Sequence, residues 1–358
     1  TVQYAFSDVA LGDADFKIPN IFPNNNATLD VSVPLFDGLA NLAYTQAADL
    51  NVTAAELQLQ YAKLQIQNAT KTAFYQALAA EALLLVAQQN IQTMESHLKQ
   101  VRAQSSGGVT TQIDVLRVQV QLEEAKSDLE SAQDDRVLAR KRLLKLMACE
   151  TDSFDKLVGE LPIPSSLSWD EVVSRADIEA QVNLVNADQK ILDAKSRWWV
   201  PTISLVGEVG YYNLLKWNNG VQDLDHYRWS HFVGLNLSWN LFDGAIAISA
   251  VHQAFARKMQ NESRLQNQRL SADLDCQIYE RKYKTNAKKY LAKRLNLQRS
   301  EESVRLTQDE YGAGTRTITD VLDASADLFR ARAGVITTQL ESEMALLQYE
   351  LALGKTKR

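Results

Sequence analysis

Glycine and proline are scarce: the 358-residue chain has 14 of one and 6 of the other. These are the residues that interrupt regular structure, so the shortage argues against a loop-rich fold and predicts long unbroken elements. Cysteine is nearly absent. Cys149 and Cys276 have no CxxC spacing, and His97, His226, His231 and His252 have no metal-ligand spacing, so neither metal nor cofactor is expected and the thiols read as buried or tolerated. Asp223, Asp225 and His226 could hold a cation, but a solvated surface loop is the simpler reading of that segment. No serine or cysteine stands in a nucleophile motif, which leaves no catalytic residue to propose and no enzyme to expect. No apolar run reaches the roughly 18 residues of a helical membrane span; the nearest, ALAAEALLLVAQQ, is cut by Glu81. A membrane β-barrel is not excluded by this, because its alternating strands leave a weaker trace. The net charge is −6 with acids and bases interspersed, which gives no basic stripe and no reason to expect nucleic acid.

What the chain does have is a repeat. VSVPLFDG, with Leu35, Phe36, Asp37 and Gly38, returns as LSWNLFDG, with Leu241, Phe242, Asp243 and Gly244, and 241 − 35 = 206. GVTTQIDVL around Asp114 returns as GTRTITDVL around Asp320, and 320 − 114 is again 206. A register kept over that distance predicts two copies of one unit, residues 1–160 and 161–358. The first copy lacks the counterpart of the helical stretch that precedes Pro201 in the second, so a helix of roughly 30 residues (the length of the stretch before Pro201) is expected upstream of Thr1.

Four segments alternate with the period of strands: Val2-Tyr4-Phe6, Leu29-Val31-Val33, Ile203 to Tyr211, and Val233-Leu235-Leu237-Trp239. Polar, Asn- and Gly-rich stretches separate the first two and the last two, which predicts two hairpins with solvated loops. Aromatics near the strand ends, among them Tyr211, Tyr212, Trp217, Tyr227, Trp229 and Trp239, suit an interfacial girdle. After each hairpin comes a stretch without glycine or proline, from Gly38 to Gly107 and again from Ala245 to Tyr311, rich in strong helix formers. A glycine turn then reverses the chain into a second helix. In the last helix Val321, Leu328 and Val335, and Leu322, Phe329 and Ile336, recur every seven residues as a coiled-coil seam. Four strands cannot close a barrel, and open edges are not tolerated in lipid, so copies must combine.

These features resemble the TolC family of outer-membrane efflux proteins of Gram-negative bacteria. The resemblance rests on YGAGTRTITDVLDA (Tyr311 to Ala324), on the LFDG after each hairpin and on WWVPTISLVGEVGYYN. It implies an α+β membrane channel: a homotrimer whose four strands per chain complete a 12-stranded barrel in the outer membrane and its lipid, above a coiled-coil helical tunnel in the periplasm. It also implies an inner-membrane pump and a periplasmic adaptor (membrane fusion) protein as partners. Departing from the pattern, the missing N-terminal helix leaves open whether a lipidated cysteine once began the mature chain.

The turns at the helix tips carry the candidate site. Thr111 to Asp114 and Thr317 to Asp320 have the form of capping boxes. Asp323 lies one turn beyond Asp320, and the resemblance makes these two aspartates the ring that lines the tunnel constriction. An acidic ring favours cations. Arg316 sits beside a helix N-terminus, where a cation needs an anionic partner. By resemblance, Tyr311 and Arg316 tie to Asp114 and lock the closed state, and Ile113 replaces a polar residue of that lock. Gly107, Gly108, Gly312, Gly314 and Thr315 form the turns expected to meet the adaptor. The function expected is a passive exit duct for a tripartite efflux system. A type I protein-secretion conduit is the near alternative, and a soluble coiled-coil scaffold the alternative of a different class.

Overall fold

A computed structural model describes residues 2–10, 17–149, 157–165, 175–213, 216–218, 221–223 and 227–355. The elements are β1 (Val2–Ala10), β2 (Lys17–Phe36), α1 (Ala40–Ser106), α2 (Gln112–Leu146), α3 (Ala176–Ser196), β3 (Thr202–Asn213), β4 (Lys216–Asn218), β5 (Val221–Asp223), β6 (Tyr227–Ser238), α4 (Ile246–Gly312) and α5 (Ile318–Leu353). They form two compact units, one of residues 1–52 and 183–262, the other of 53–182 and 263–358. These units cut across the two sequence copies instead of coinciding with them.

The first unit holds a four-stranded antiparallel sheet in the order β1-β2-β3-β6. β2 is much longer than the alternation predicted: the stretch expected to be a solvated loop is strand from Lys17 onward. Its first part pairs with β1 (Val2 opposite Asn25) and its second with β3 (Leu29 opposite Val209). A strand partner on each part satisfies backbone groups that a loop would leave to water, which is why the polar composition misleads. The ladder slips between Pro34 and Phe36, where proline has no N–H to donate. β4 and β5 make a separate small ladder between β3 and β6, so the second predicted loop also contains strand. Asp225 and His226 lie outside the described residues.

Register sorts the sheet into two faces. Val33, Leu205 and Leu235 stand in one row and Leu29 and Val209 in another. Ser32, Pro34, Ser204 and Asn236 lie on the opposite face, since neighbours along a strand alternate. The apolar row is open to solvent: Val33 is 46 % exposed and Leu235 72 %. Tyr211 and Trp229 close one end with ring centroids 4.9 Å apart.

The long helices begin and end in the same way in both copies. After each LFDG two successive residues take the left-handed conformation, Gly38 and Leu39 in one case, Gly244 and Ala245 in the other. Asp37 then accepts from the Asn41 N–H at 2.6 Å, and Asp243 from the Ala247 N–H at 2.8 Å. These carboxylates satisfy orphan donors and favour the helix dipole. The result is two helices of 67 residues, each about 100 Å long at 1.5 Å per residue.

In the second unit α5 buries Val321 and Leu322 of the predicted seam near its start and a row of small residues along its middle. Ala324, Ala331, Thr338 and Ala345 are buried at seven-residue spacing, whereas Leu328, Val335, Phe329 and Ile336 of the predicted seam are only half-buried. The heptad period is as expected, and beyond Leu322 the buried row passes to small residues. Small side chains let neighbouring helices approach, and Gly334 takes the Lys293 stem directly against the helix. Of the two thiols, Cys276 is buried beside Tyr349 and Leu353, and Cys149 is exposed.

Candidate functional site

Both helix turns belong to the second unit, and each is closed by backbone geometry that its sequence dictates. Gly108 and Gly314 are left-handed, with φ of 73° and 75°. The N–H of Val109 bonds to the Gln104 carbonyl at 2.9 Å and that of Thr315 to the Glu310 carbonyl at 3.0 Å. Gly108 and Gly314 add the shorter-range bonds to Ser105 and Tyr311, which completes the glycine-closed helix end twice. Gly107 and Gly312 keep negative φ, and a Cβ would meet only ordinary contact at Gly107 and open space at Gly312, so within the chain neither conformation nor crowding requires glycine there.

The next helices start on the predicted capping boxes. The Thr111 hydroxyl accepts from the Asp114 N–H and the Thr317 hydroxyl from the Asp320 N–H, both at 3.3 Å, while each aspartate accepts in return from the threonine N–H. The hydrogen bonds from Thr317 hold the Asp320 carboxyl below its ordinary pKa, with a smaller contribution from Arg316. Asp320 is therefore a committed cap. Asp323 is exposed and makes no hydrogen bond or ion pair with any described residue. It lines an open groove of about 760 Å³ with Met94, Ile113, Leu116, Thr319 and Phe329. The two carboxylates share a helix but not a chemical state.

A small core holds the tips level. Leu98 and Val101 of α1, Val115 and Val118 of α2, and Ile318 and Val321 of α5 are buried together, with Tyr311 packed against them. Arg117 joins α2 to α5 by donating to the Thr319 hydroxyl at 3.0 Å, and stands 3.8 Å from Asp114.

The predicted lock residues have other partners. The Tyr311 hydroxyl donates to Gln104, not to Asp114. Burial first and the negative charge of Asp114 second raise the Tyr311 pKa, so the aspartate is near without being bonded. Arg316 pairs with Glu310 at 2.8 Å. Within one chain, then, Tyr311 stands near Asp114 without a bond to it, and Arg316 is paired with Glu310 instead. Ile113 is 61 % exposed at the groove.

Sequence reasoning missed Gln104, Glu310 and Arg117, and gave His97 no role beyond a failed metal search. His97 is buried, 3.3 Å from the Ser325 hydroxyl across α1 and α5, and burial lowers its pKa. The signal available for Glu310 was its place six residues before Arg316, reachable only once the glycine turn folds the chain back. No signal marked His97, since helix contacts between distant parts of the chain have no local trace.

Residues 18–148 and 170–355 match the family described as outer membrane efflux protein. The proteases secretion protein PrtF of Dickeya chrysanthemi is 23 % identical over 333 residues, 87 % of this chain and 68 % of that protein. The outer membrane protein VceC of Vibrio cholerae superposes with a TM-score of 0.81 at 18 % identity, over 99 % of this chain and 86 % of that one. The MtrE outer membrane channel of Neisseria gonorrhoeae, solved in its open state, gives 0.77 at 20 % identity, over 99 % and 80 %.

Proposed function

This chain belongs to the outer membrane efflux protein family, and from that premise we propose that it is the exit duct of a tripartite system. In this reading a homotrimer passes substrates passively from an inner-membrane pump and a periplasmic adaptor to the outside. The observation that carries the trimer is the sheet. One of its faces is apolar and exposed, the opposite face is more polar, and among the described residues β1 and β6 each have a single strand partner. An apolar outer face suits lipid and a polar inner face a wet lumen, but edges in lipid must be paired. Three copies of four strands give 12, enough for a lumen; two copies give a barrel filled by its own side chains. The two halves, 1–160 and 161–358, are read as structural repeats, supported by helix caps and turns that recur at the offset of the LFDG motifs.

At the tips, the reading makes Asp320 and Asp323 an acidic ring at the periplasmic constriction, with Asp323 the stronger contributor because its carboxylate is free of any cap. Arg316 then reaches Asp114 of a neighbouring copy in the closed state, exchanging its local partner Glu310, while Tyr311 holds the helix pair from within. Gly107, Gly108, Gly312, Gly314 and Thr315 present the turns to the adaptor. The test is conductance in planar bilayers. Arg316→Ser combined with Tyr311→Phe is expected to raise single-channel conductance several-fold, and an unchanged conductance in a folded trimer places the closure elsewhere.

A second reading is favoured by the match to a protease secretion protein: the cargo is an exported polypeptide. Supplying this chain to cells that lack their own exit duct separates the two. Restored resistance to small toxic compounds supports efflux, and restored export of a protease without it supports secretion.

A further inference from the structure

Charge that is mixed over the whole chain is segregated along two helices of the second unit, which corrects the expectation of interspersed charge. From Arg281 to Ser300, α4 carries eight Lys and Arg and no Asp or Glu. From Glu123 to Asp135, α2 carries six Asp and Glu and a single lysine, Lys126. Both bands stand on open faces. Ile113, Leu116, Val120, Glu123, Glu130 and Asp134 follow one another at coiled-coil spacing along α2, and every one is exposed. Arg281, Lys288, Leu291, Leu295, Arg299 and Leu306 do the same along α4. Asp128, Glu130, Asp134 and Asp135, and likewise Arg281, Lys288, Lys289 and Arg299, make no hydrogen bond or ion pair with any described residue. Glu123 meets only the exposed Lys126 at 2.8 Å.

We propose that the acidic face of α2 on one copy of this chain docks antiparallel against the basic face of α4 on the next, and that the charges set which helices meet and in what register. The proposal rests on the trimeric reading above and goes beyond it by naming the seam. Three observations carry it. The bands lie at matching depth: Glu123 and Asp134 stand roughly three and six turns into α2, and Arg299 and Lys288 roughly three and a half and six and a half turns before the end of α4. Because the tips are held level by their shared core, equal turn counts mean equal height. Spacing agrees as well. The step from Glu123 to Asp134 equals the step from Lys288 to Arg299, and it is close to three whole turns, so each pair stays on one face. The same register sets Leu116 opposite Leu306, both exposed in the single chain.

Charge also decides against other pairings. A contact that brought α2 against α2 or α4 against α4 would place like charges together. A contact of α2 on one copy with α4 on the next can repeat head to tail, and it closes a ring where the rotation between copies allows. The seam therefore selects against pairings of like helices as well as for the α2–α4 contact.

The experiment uses the full chain in detergent, with oligomeric state read by native mass spectrometry and helix content by circular dichroism. Lys288→Glu with Arg299→Glu reverses one face; Glu123→Lys with Asp134→Lys reverses the other. Each pair is expected to lower the trimer fraction about tenfold, and the fourfold variant to recover it. A wild-type chain that is not a trimer sinks the duct reading itself. A wild-type trimer that either reversal leaves intact, or that the fourfold variant fails to recover, overturns the seam alone. Should a reversed pair lose helix content, the fourfold variant decides by the same criterion. Reversals that keep the trimer but abolish adaptor binding assign the faces to that partner and likewise overturn the proposal.

Discussion

His97 shows how one buried side chain ties tip stability to pH. The fold prefers its neutral form because burial lowers the imidazole pKa, and no charged neighbour contributes to that shift. The unfolded chain takes up the proton near pH 6.5. Stability is therefore full above about pH 6.5, declines as pH falls toward the lowered native value, and levels off beneath it. Thermal unfolding should begin earlier at about pH 5.5 than at about pH 7.5, and His97→Gln should flatten the difference. A wild-type melting temperature independent of pH across that window would show that the ring titrates freely. Asp320 acts in the opposite part of the scale. Its carboxyl is held below the ordinary carboxylate range, so its contribution is present above that range and is lost only as pH falls through the lowered native value. The two effects separate by pH. Thr317→Ala, which removes the cap itself, should destabilise by about 1 kcal/mol in denaturant titration.

The proposed acidic ring is also tested one residue at a time. Asp323→Ala should reduce cation selectivity and block by trivalent cations more than Asp320→Ala, because Asp320 already commits its Oδ2 to Thr317. Equal losses from the two substitutions, or none in a chain that still assembles, would falsify the unequal roles assigned to them.

At the scale of elements, the two copies differ where one helix end uses glycine and the other does not. Gly354 closes α5 at φ 72°, and the matching position after α2 is Ala148 at φ 52°. The hydrogen bonds are the same: Lys355 to the Glu350 carbonyl, and Cys149 to that of Leu144, both at 3.1 Å. A side chain in this conformation costs about 1 kcal/mol, so Ala148→Gly should stabilise by that order. Gly354→Ala should cost more than the conformational term. A Cβ there would stand 3.1 Å from the Arg175 Cγ and 3.2 Å from its Cα, and Arg175 is itself fixed by Asp177 and Tyr61. Chemical denaturation of both variants checks the sign in each case.

For the whole molecule, the sheet is the element that the proposed duct sets in the outer membrane. Leu235 and Asn236 are neighbours on β6 whose side chains leave opposite faces of the sheet. Leu235→Arg puts a charge on the apolar face and should cost about 2–4 kcal/mol if that row lies near the bilayer centre. Asn236→Arg puts the same charge on the more polar face and should be nearly neutral. Folding into lipid vesicles, followed by denaturant titration, compares them; equal costs would mean that neither face meets lipid. The family is one of outer membrane efflux proteins, and membership favours the duct over a soluble scaffold.

By itself the sequence determined the features that a short stretch of chain decides. It set the limits of the long helices, since Gly38 and Gly107 bracket α1, and it set the capping boxes and glycine turns, because dihedral preference and local hydrogen bonding act within a few residues. The recurrence of the motifs made the same elements legible twice. Only the tertiary structure decided that β2 starts at Lys17, because a polar strand is recognised by its partner and not by its composition. The structure alone gave Arg316 to Glu310, Tyr311 to Gln104 and His97 to Ser325, and moved the buried row of α5 onto small residues. Those outcomes depend on which faces meet when turns and distant helices are folded together. Side-chain partners there are set by packing distance, which no local pattern encodes.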